Sequence, residues 1–305
     1  MIVSVCADKG APGVTDLATL MGLVWPGQRV LLEADCAGAD LPFRLRHTDG
    51  GRLLDAQPSV SLLAADCRAA LPADGVLRYA QPTTLGVPVV PGALSAEGFA
   101  LLARLWPRVA QAAAGWEGTV IADLGRLQPG NPAVAMAAAS TVVLVLVRPD
   151  LGGLYHLRDR VGELAASLGD ASLLRSPVAV VVRARTGSAG RTAVGQVQQM
   201  LEAAGSPIPV VGLYAEDPSG IAMLREGQLT RRLLRSELIG SVRTLAETVL
   251  SWWPQLLASP ARPALLATPT DGVAVAPGRW ADGGGASGPS AAPSPAGRDT
   301  DTARR

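Results

Sequence analysis

The chain has very little lysine, few aromatic residues and a small net charge. Among its 305 residues Lys9 is the sole lysine, and arginine provides every other basic side chain apart from two histidines. Aromatic residues make up 4% and hydrophobic residues 48%, so the sequence can build a sizeable core from Ala, Val and Leu. A net charge of +1 does not favour a strongly basic nucleic-acid surface.

Cysteine and histidine are also scarce, with three and two residues. Cys6, Cys36 and Cys67 show neither metal-binding spacing nor a disulfide framework, which fits a reducing cytoplasm. His47 and His156 have no partner motif, so we assign them structural or solvated roles. The first residues lack the basic segment of a secretory signal, and no apolar run approaches the roughly 20 residues of a spanning helix. We expect a cytoplasmic protein without a transmembrane segment.

Short apolar runs recur along the chain, each followed by a segment with helical potential. Because these runs do not alternate polar with apolar residues, they indicate parallel strands buried on both faces. The pattern predicts an α/β fold, a doubly wound and mostly parallel sheet of about seven strands with helices on both faces. The predicted strands are Ile2–Ala7, Arg29–Ala34, Val87–Val90, Thr119–Ala122, Thr141–Val147, Val178–Val182 and Val210–Leu213. The predicted helices are Thr15–Val24, Ser59–Ala70, Ser95–Ala114, Pro132–Ala138, Gly153–Leu168, Thr192–Ala204, Ser219–Glu226 and Leu233–Trp252.

The composition changes near residue 258. From there to Arg305 the chain consists largely of Pro, Gly, Ala, Ser and Thr, which bury too little apolar surface to offset the entropy of ordering. We therefore predict one domain over residues 1–257 and a disordered tail over residues 258–305.

The lone lysine lies between the first predicted strand and the first predicted helix. Strand, glycine-bearing turn, lysine, hydroxyl residue and helix form the layout of a phosphate-binding loop. The alternative is a surface turn in which the lysine survived by chance. The predicted phosphate-binding residues are Lys9, Gly10, Ala11, Pro12, Gly13, Val14, Thr15 and Asp16.

Two aspartates follow other predicted strands. Asp35 comes after the second strand and Asp123 ends the fourth. An α/β sheet binds its ligands at the carboxyl ends of its strands, and a phosphate-binding turn with two strand-end aspartates can hold Mg²⁺ and orient a water. The alternative is that both are ordinary loop acids.

These segments resemble the ParA/MinD family of P-loop ATPases. Residues 9–15 look like the family's deviant Walker A loop, K-G-G-x-G-K-S/T, and Glu33-Ala34-Asp35 looks like its D-x-D motif. Residues 120–123 are similar to its Walker B strand. Residues 139–150 and 211–217 resemble its later strand-and-turn segments. The resemblance spans about residues 1–250, and the CpaE-like branch is one branch of the family that it suggests.

The resemblance implies particular roles for these residues. Lys9 corresponds to the signature lysine that reaches across a homodimer to the partner's nucleotide, and Lys9, Asp35 and Asp123 would be the catalytic set. Thr15 and Asp123 would hold Mg²⁺ beside ATP, although capping of the first helix is an alternative role for Thr15.

Several positions depart from the family pattern. Val14 stands where the family has its phosphate-binding lysine, and valine supplies neither charge nor hydrogen bond. Asp8 replaces a glycine, and Asp16 places an acid where a phosphate would approach. The adenine-reading Asn expected after the sixth strand is absent, and the sequence there is Val182-Arg183-Ala184-Arg185.

Three interpretations follow. In the first, the chain is a degenerate pseudo-ATPase that acts as a positioning or scaffold factor for DNA partition, division or pilus and secretion assembly. Alternatively, it is an active ATPase with ATP-dependent dimerisation, or a non-nucleotide protein-interaction module on the same fold. A protein partner is expected in each case. The arginines near the C-terminal helices form either a solvated face or a DNA or partner patch: Arg225, Arg231, Arg232 and Arg235.

Overall fold

A seven-stranded parallel sheet forms the centre of the computed structural model, which describes residues 1–10, 13–69, 75–128, 130–168, 178–227 and 229–257. The strand order is β3-β2-β4-β1-β5-β6-β7, and every neighbouring pair is parallel. This confirms the predicted doubly wound α/β fold. The strands are β1 Ile2–Ala7, β2 Arg29–Glu33, β3 Val89–Val90, β4 Thr119–Arg126, β5 Val142–Val147, β6 Val178–Ala184 and β7 Val210–Ala215.

The helices connect these strands on both faces of the sheet. Two predicted helices are each divided in the structure. The predicted helix Ser95–Ala114 is interrupted before Trp106, where Pro107 favours a new helix start, and the predicted helix Leu233–Trp252 is interrupted at Ser236. The Ser236 hydroxyl accepts a hydrogen bond from the backbone N–H of Ile239 at 3.3 Å and so caps the last helix. The helices are α1 Val14–Val24, α2 Leu41–Arg44, α3 Val60–Asp66, α4 Ala96–Leu101, α5 Trp106–Gly115, α6 Val134–Ala138, α7 Leu151–Leu168, α8 Ser188–Ala203, α9 Pro218–Arg225, α10 Arg231–Leu234 and α11 Glu237–Trp252, with 3₁₀ turns at Gly75–Tyr79 and Pro254–Leu257.

Alternate residues of each strand belong to two separate cores, one on each face. The first core packs the sheet against α3, α5, α6, α7 and α8. The second packs it against α1, α9, α10 and α11, and it includes Val14, Leu17 and Tyr214. Both faces of the central strands are therefore buried, which explains why their sequences are continuously apolar.

The chain crosses the sheet in opposite directions on the two sides of β1. It passes from β1 to β2 on one side and from β4 to β5 on the other, so β1 lies at the point where the strand order switches. In open α/β sheets, ligands bind beside the carboxyl ends of strands at such a point. The loop that follows β1 therefore lies where an α/β sheet binds its ligands.

The predicted tail, residues 258–305, lies outside the described residues, and so do Ala11 and Pro12 of the predicted loop. Among the residues that the structure does describe, no helix is both long enough and apolar enough to cross a membrane.

Candidate functional site

The loop after β1 leads directly into α1. Gly13 is the N-cap of this helix and has a φ of 97°, a left-handed conformation that favours glycine. Within the described residues no side chain caps the helix, so its first backbone N–H groups remain available to an anion. Thr15 lies inside the helix, which contradicts the alternative that it serves as the cap. Val14, which stands where the family pattern has a phosphate-binding lysine, is buried in the core between α1 and the sheet.

Asp123 lies in β4 next to β1 and is fully buried. In the sheet it pairs with Val5 on one side and Glu33 on the other. Burial, with a smaller contribution from the charge of Glu33, raises the pKa of Asp123 to about 7, whereas the nearby Thr15 hydroxyl and a hydrogen bond from the Gly125 backbone lower it. The Gly125 N–H donates to Oδ1 at 3.0 Å. Oδ2 has no hydrogen-bond partner within the described residues.

A buried carboxylate oxygen without a hydrogen-bond partner in the described structure is costly, so this position suits a cation or a hydrogen-bond donor. Thr15 and Asp123 together offer one hydroxyl and one carboxylate, the hard oxygen donors that Mg²⁺ prefers. No group of three or more His, Cys, Asp or Glu side chains in the described ranges could hold a metal ion alone. The donor set therefore fits an ion that takes its remaining ligands from water and phosphate, as Mg²⁺ does.

Asp35 reaches the same edge of the sheet from the loop after β2. Its Oδ1 accepts a hydrogen bond from the Ala37 N–H at 2.8 Å, and burial raises its pKa. The carboxyl packs directly on Gly125, where a Cβ would overlap with it. Gly125 also has a φ of 56°, so both backbone and space require glycine there. The structure thus brings Asp35 close to Asp123, and the charge of Asp35 contributes to the raised pKa of Asp123.

Glu33, the other acid of this motif, has a structural role. Its Oε1 accepts hydrogen bonds from the N–H groups of Asp40 at 2.7 Å and Leu41 at 2.9 Å, and Oε2 accepts one from Gly92 at 3.0 Å. Burial raises its pKa although these three bonds oppose the change. Glu33 therefore holds the loops after β2 and β3 in place.

Asp16 is held by arginines. Its carboxylate accepts a hydrogen bond from Arg225 at 3.1 Å and lies 3.7 Å from Arg44. The Asp16 side chain is 8% exposed, whereas that of Arg225 is 55% exposed. The acid in the first turn of α1 is therefore partly compensated by two cations.

Lys9 is directed toward α7. Its ammonium lies 2.8 Å from Nε2 of His156, its one polar contact among the described residues. The neighbouring Asp8 carboxylate faces the same helix, 3.5 Å from Arg160 and 4.0 Å from Nδ1 of His156. A cavity of about 230 Å³ lies between residues 8–10, the end of β5 and the start of α7. The structure does not bring Lys9 into contact with Thr15, Asp35 or Asp123.

Arg183 and Tyr214 approach the loop from the other side. They are paired residues on β6 and β7, and the guanidinium lies 5.8 Å from the centre of the tyrosine ring. A Cβ at Gly13 would lie 3.0 Å from Arg183 Nη1, 3.6 Å from Asp16 and 3.7 Å from Tyr214 Cε1. Burial raises the pKa of Tyr214, whose hydroxyl has no hydrogen-bond partner in the described part of the chain.

Sequence reasoning missed the contributions of several of these residues. His156 was expected to be structural or solvated, yet it contacts Lys9. The sequence predicts that Arg225 belongs to a solvated face or to a DNA or partner patch, and its pairing with Asp16 is an additional contact that the pattern does not show. The segment around Arg183 lacks the Asn that the family pattern places after the sixth strand. The position of Arg183 beside Gly13 follows from the order of the strands, which no local sequence pattern encodes.

Several solved structures share this fold, and some of them were determined with a bound nucleotide. MinD from Pyrococcus horikoshii OT3, complexed with Mg-ADP, matches with a TM-score of 0.60 at 19% identity over 81% of this chain and 95% of that chain. A ParA family ATPase from Chlorobium tepidum TLS matches with a TM-score of 0.61 at 13% identity, over 81% and 98%. Cobyrinic acid a,c-diamide synthase from Mycobacterium smegmatis, with an ATP analog and magnesium, matches with a TM-score of 0.58 at 18% identity, over 83% and 94%.

No protein-family model matches the sequence, and no curated protein matches it significantly. The chain has the fold of the MinD and ParA ATPases, a P-loop NTPase-like α/β fold, which confirms the predicted resemblance at the level of fold.

Proposed function

We propose that this chain is a ParA/MinD-type protein that binds ATP or ADP with Mg²⁺ at the carboxyl edge of its sheet. The observation that supports this most directly is the meeting of Thr15 with buried Asp123, whose Oδ2 lacks a partner in the described structure. The uncapped N-terminus of α1 lies in the same place and supplies backbone N–H groups for a phosphate.

Each residue has a defined part in this proposal. Thr15 and Asp123 hold Mg²⁺, which would neutralise phosphate charge when bound, and Asp35 orients a water beside Asp123. The N–H groups around residues 13–16 bind phosphate oxygens. Lys9 serves a partner subunit in a homodimer, which agrees with its exposed position and its separation from Asp123.

Hydrolysis is expected to be weak or absent. Val14 is buried in the core and contributes no charge at the phosphate, and loss of one such stabilising group costs about 10²–10³ in rate. We therefore propose a pseudo-ATPase that works in the cytoplasm as a positioning or scaffold factor for DNA partition, division, or pilus and secretion assembly, as in the CpaE-like branch. It would act with a protein partner.

Nucleotide titration of the full chain tests this function. We expect micromolar binding of ATP and ADP in the presence of Mg²⁺, weakened at least tenfold by Thr15→Ala. The control is Thr244→Ala, because Thr244 lies on the exposed face of α11 and donates only to the Gly240 carbonyl at 3.3 Å. Absence of binding at millimolar nucleotide would reject the proposal and leave a protein-interaction module on this fold.

Steady-state turnover separates the pseudo-ATPase from an active ATPase. An active enzyme loses turnover on Asp35→Ala and on Asp123→Ala. A scaffold shows no turnover above background and keeps its partner through both changes. Retention on DNA that falls steeply with salt would instead indicate a nucleic-acid module.

A further inference from the structure

The loop lacks a cation at the position where its resemblance to P-loop ATPases would place one. Val14 is 7% exposed and packs between α1 and the sheet, so its backbone can bind an anion but its side chain cannot. A phosphate bound at the N-terminus of α1 therefore needs its positive charge from another part of the chain.

Three arginines of the described part of the chain come near this turn, and two of them bind Asp16. Arg225 donates to Asp16 at 3.1 Å and Arg44 lies 3.7 Å from the same carboxylate. Arg183 lies 3.9 Å from Glu216, and its Nη1 is the atom nearest to the point that a Cβ of Gly13 would occupy.

The position of Arg183 is fixed by the strand in which it lies. It stands one residue before the end of β6, in register with Tyr214 on β7, so both side chains point to the α1 side of the sheet. The guanidinium lies 5.8 Å from the centre of the Tyr214 ring. Such a contact holds the group over the ring while the N–H groups at its edge remain able to donate.

The resulting arrangement faces Gly13. Arg183 Nη1 lies 3.0 Å from the point that a Cβ of Gly13 would occupy, and Tyr214 Cε1 lies 3.7 Å from it. Tyr214 is fully buried, and its hydroxyl has no hydrogen-bond partner in the described structure. The Arg183 guanidinium, the edge of the Tyr214 ring and the N-terminus of α1 thus meet at Gly13. Guanidinium, phenol hydroxyl and backbone N–H groups are all hydrogen-bond donors for an anion.

We propose that Arg183 is the phosphate-binding cation of this site, supplied from the end of β6 in place of the lysine that Val14 replaces. This inference rests on the proposed nucleotide-binding function. It makes Arg183 a binding residue for the phosphate chain of a nucleoside diphosphate or triphosphate. The adjacent Tyr214 hydroxyl is a second donor to the same chain.

Calorimetric titration of the full chain with Mg-ADP, pyrophosphate and adenosine tests the assignment. One charge-assisted contact is worth about 10- to 100-fold in affinity, so Arg183→Ala should weaken Mg-ADP and pyrophosphate by that factor and leave adenosine unchanged. Arg183→Lys should recover part of the loss. Arg185→Ala is the matched control, because Arg185 is exposed two residues further along the chain.

Arg183→Gln keeps the length of the side chain without its charge, so it provides the test if Arg183→Ala unfolds. If the Ala and Gln variants bind Mg-ADP as tightly as the wild type or more tightly, the assignment is overturned, because Arg183 would then make no favourable contact with the phosphates. Loss of adenosine affinity as large as that of Mg-ADP would also overturn it, since Arg183 would contact the base. Failure of the wild-type chain to bind any of the three probes would reject the proposed function itself.

Discussion

The Lys9 ammonium lies 2.8 Å from Nε2 of His156, so the loop after β1 is tied to α7. An ammonium can only donate a hydrogen bond, and Nε2 must therefore accept it. The imidazole proton then resides on Nδ1, which faces the Asp8 carboxylate at 4.0 Å. A lysine that has to reach a partner subunit must first leave this histidine.

His156→Ala should strengthen nucleotide-dependent dimerisation. The contact is exposed, and such a hydrogen bond is worth about 1 kcal/mol, so the dimer dissociation constant should fall about threefold to tenfold. Sedimentation equilibrium with Mg-ATP measures this change. His47→Ala serves as the control, since His47 pairs with Asp49 at 3.5 Å and has no contact with the loop. A dimer that weakens with His156→Ala would show that the contact prepares Lys9 instead of restraining it.

Gly125→Ala should damage the site more than the fold. The substitution adds a Cβ that overlaps with the Asp35 carboxyl, on top of the strain at a φ of 56°. Gly27→Ala is the matched control, because Gly27 has a φ of 72° and open space around it. Both variants should lose about 1 kcal/mol of unfolding free energy from backbone strain. Only Gly125→Ala should also weaken Mg-ATP binding, by tenfold or more in calorimetric titration.

Asp16→Asn should bind ATP more tightly than the wild type. The change removes a negative charge from the first turn of α1, where it opposes a phosphate. Affinity should rise about threefold, while the unfolding free energy falls by about 1 kcal/mol, because the ion pairs with Arg225 and Arg44 are partly solvent-exposed. Asp159→Asn is the control at an exposed acid of α7. Unchanged or lower ATP affinity in Asp16→Asn would show that the two arginines already neutralise the acid.

Asp123 makes the metal-free protein less stable as the pH rises. Burial raises its pKa from 3.8 to about 7, so the folded state holds a proton that the unfolded chain releases. The stability from this group is complete below the unfolded pKa and is lost as the pH rises toward about 7. Urea unfolding in EDTA at pH 4 and pH 8 should show a loss on the order of 2 to 4 kcal/mol from this carboxyl. Asp123→Asn should lack that loss, and an identical pH dependence in both proteins would contradict the account.

The order of the elements was predictable from sequence because buried parallel strands are continuously apolar. Residues 142–147 and 178–184 show this plainly, since almost every side chain is buried on one face or the other. The helix interruption before Trp106 was missed because Pro107 suits a first turn as well as a break, and no glycine marks the end of the preceding helix.

The site was only partly predictable. Asp35 and Asp123 could be named because each follows a predicted strand directly, and Thr15 because it begins the predicted helix after the first strand. The structure brings all three to one edge of the sheet. Arg183, Tyr214 and His156 could not be assigned, because their contacts join segments far apart in the chain. The Lys9–His156 contact, for example, spans 147 residues, and the register between β6 and β7 determines that Arg183 meets Tyr214.

The central claim is that Thr15 and Asp123 hold the Mg²⁺ of a bound nucleotide. Calorimetric titration of the full chain with ADP, in Mg²⁺ and in EDTA, tests it for the wild type, Thr15→Ala, Asp123→Asn and the double variant. We expect Mg²⁺ to strengthen binding by tenfold or more in the wild type, and either single change to remove most of that gain without affecting binding in EDTA. An equal gain from Mg²⁺ in wild type and Asp123→Asn would contradict the account.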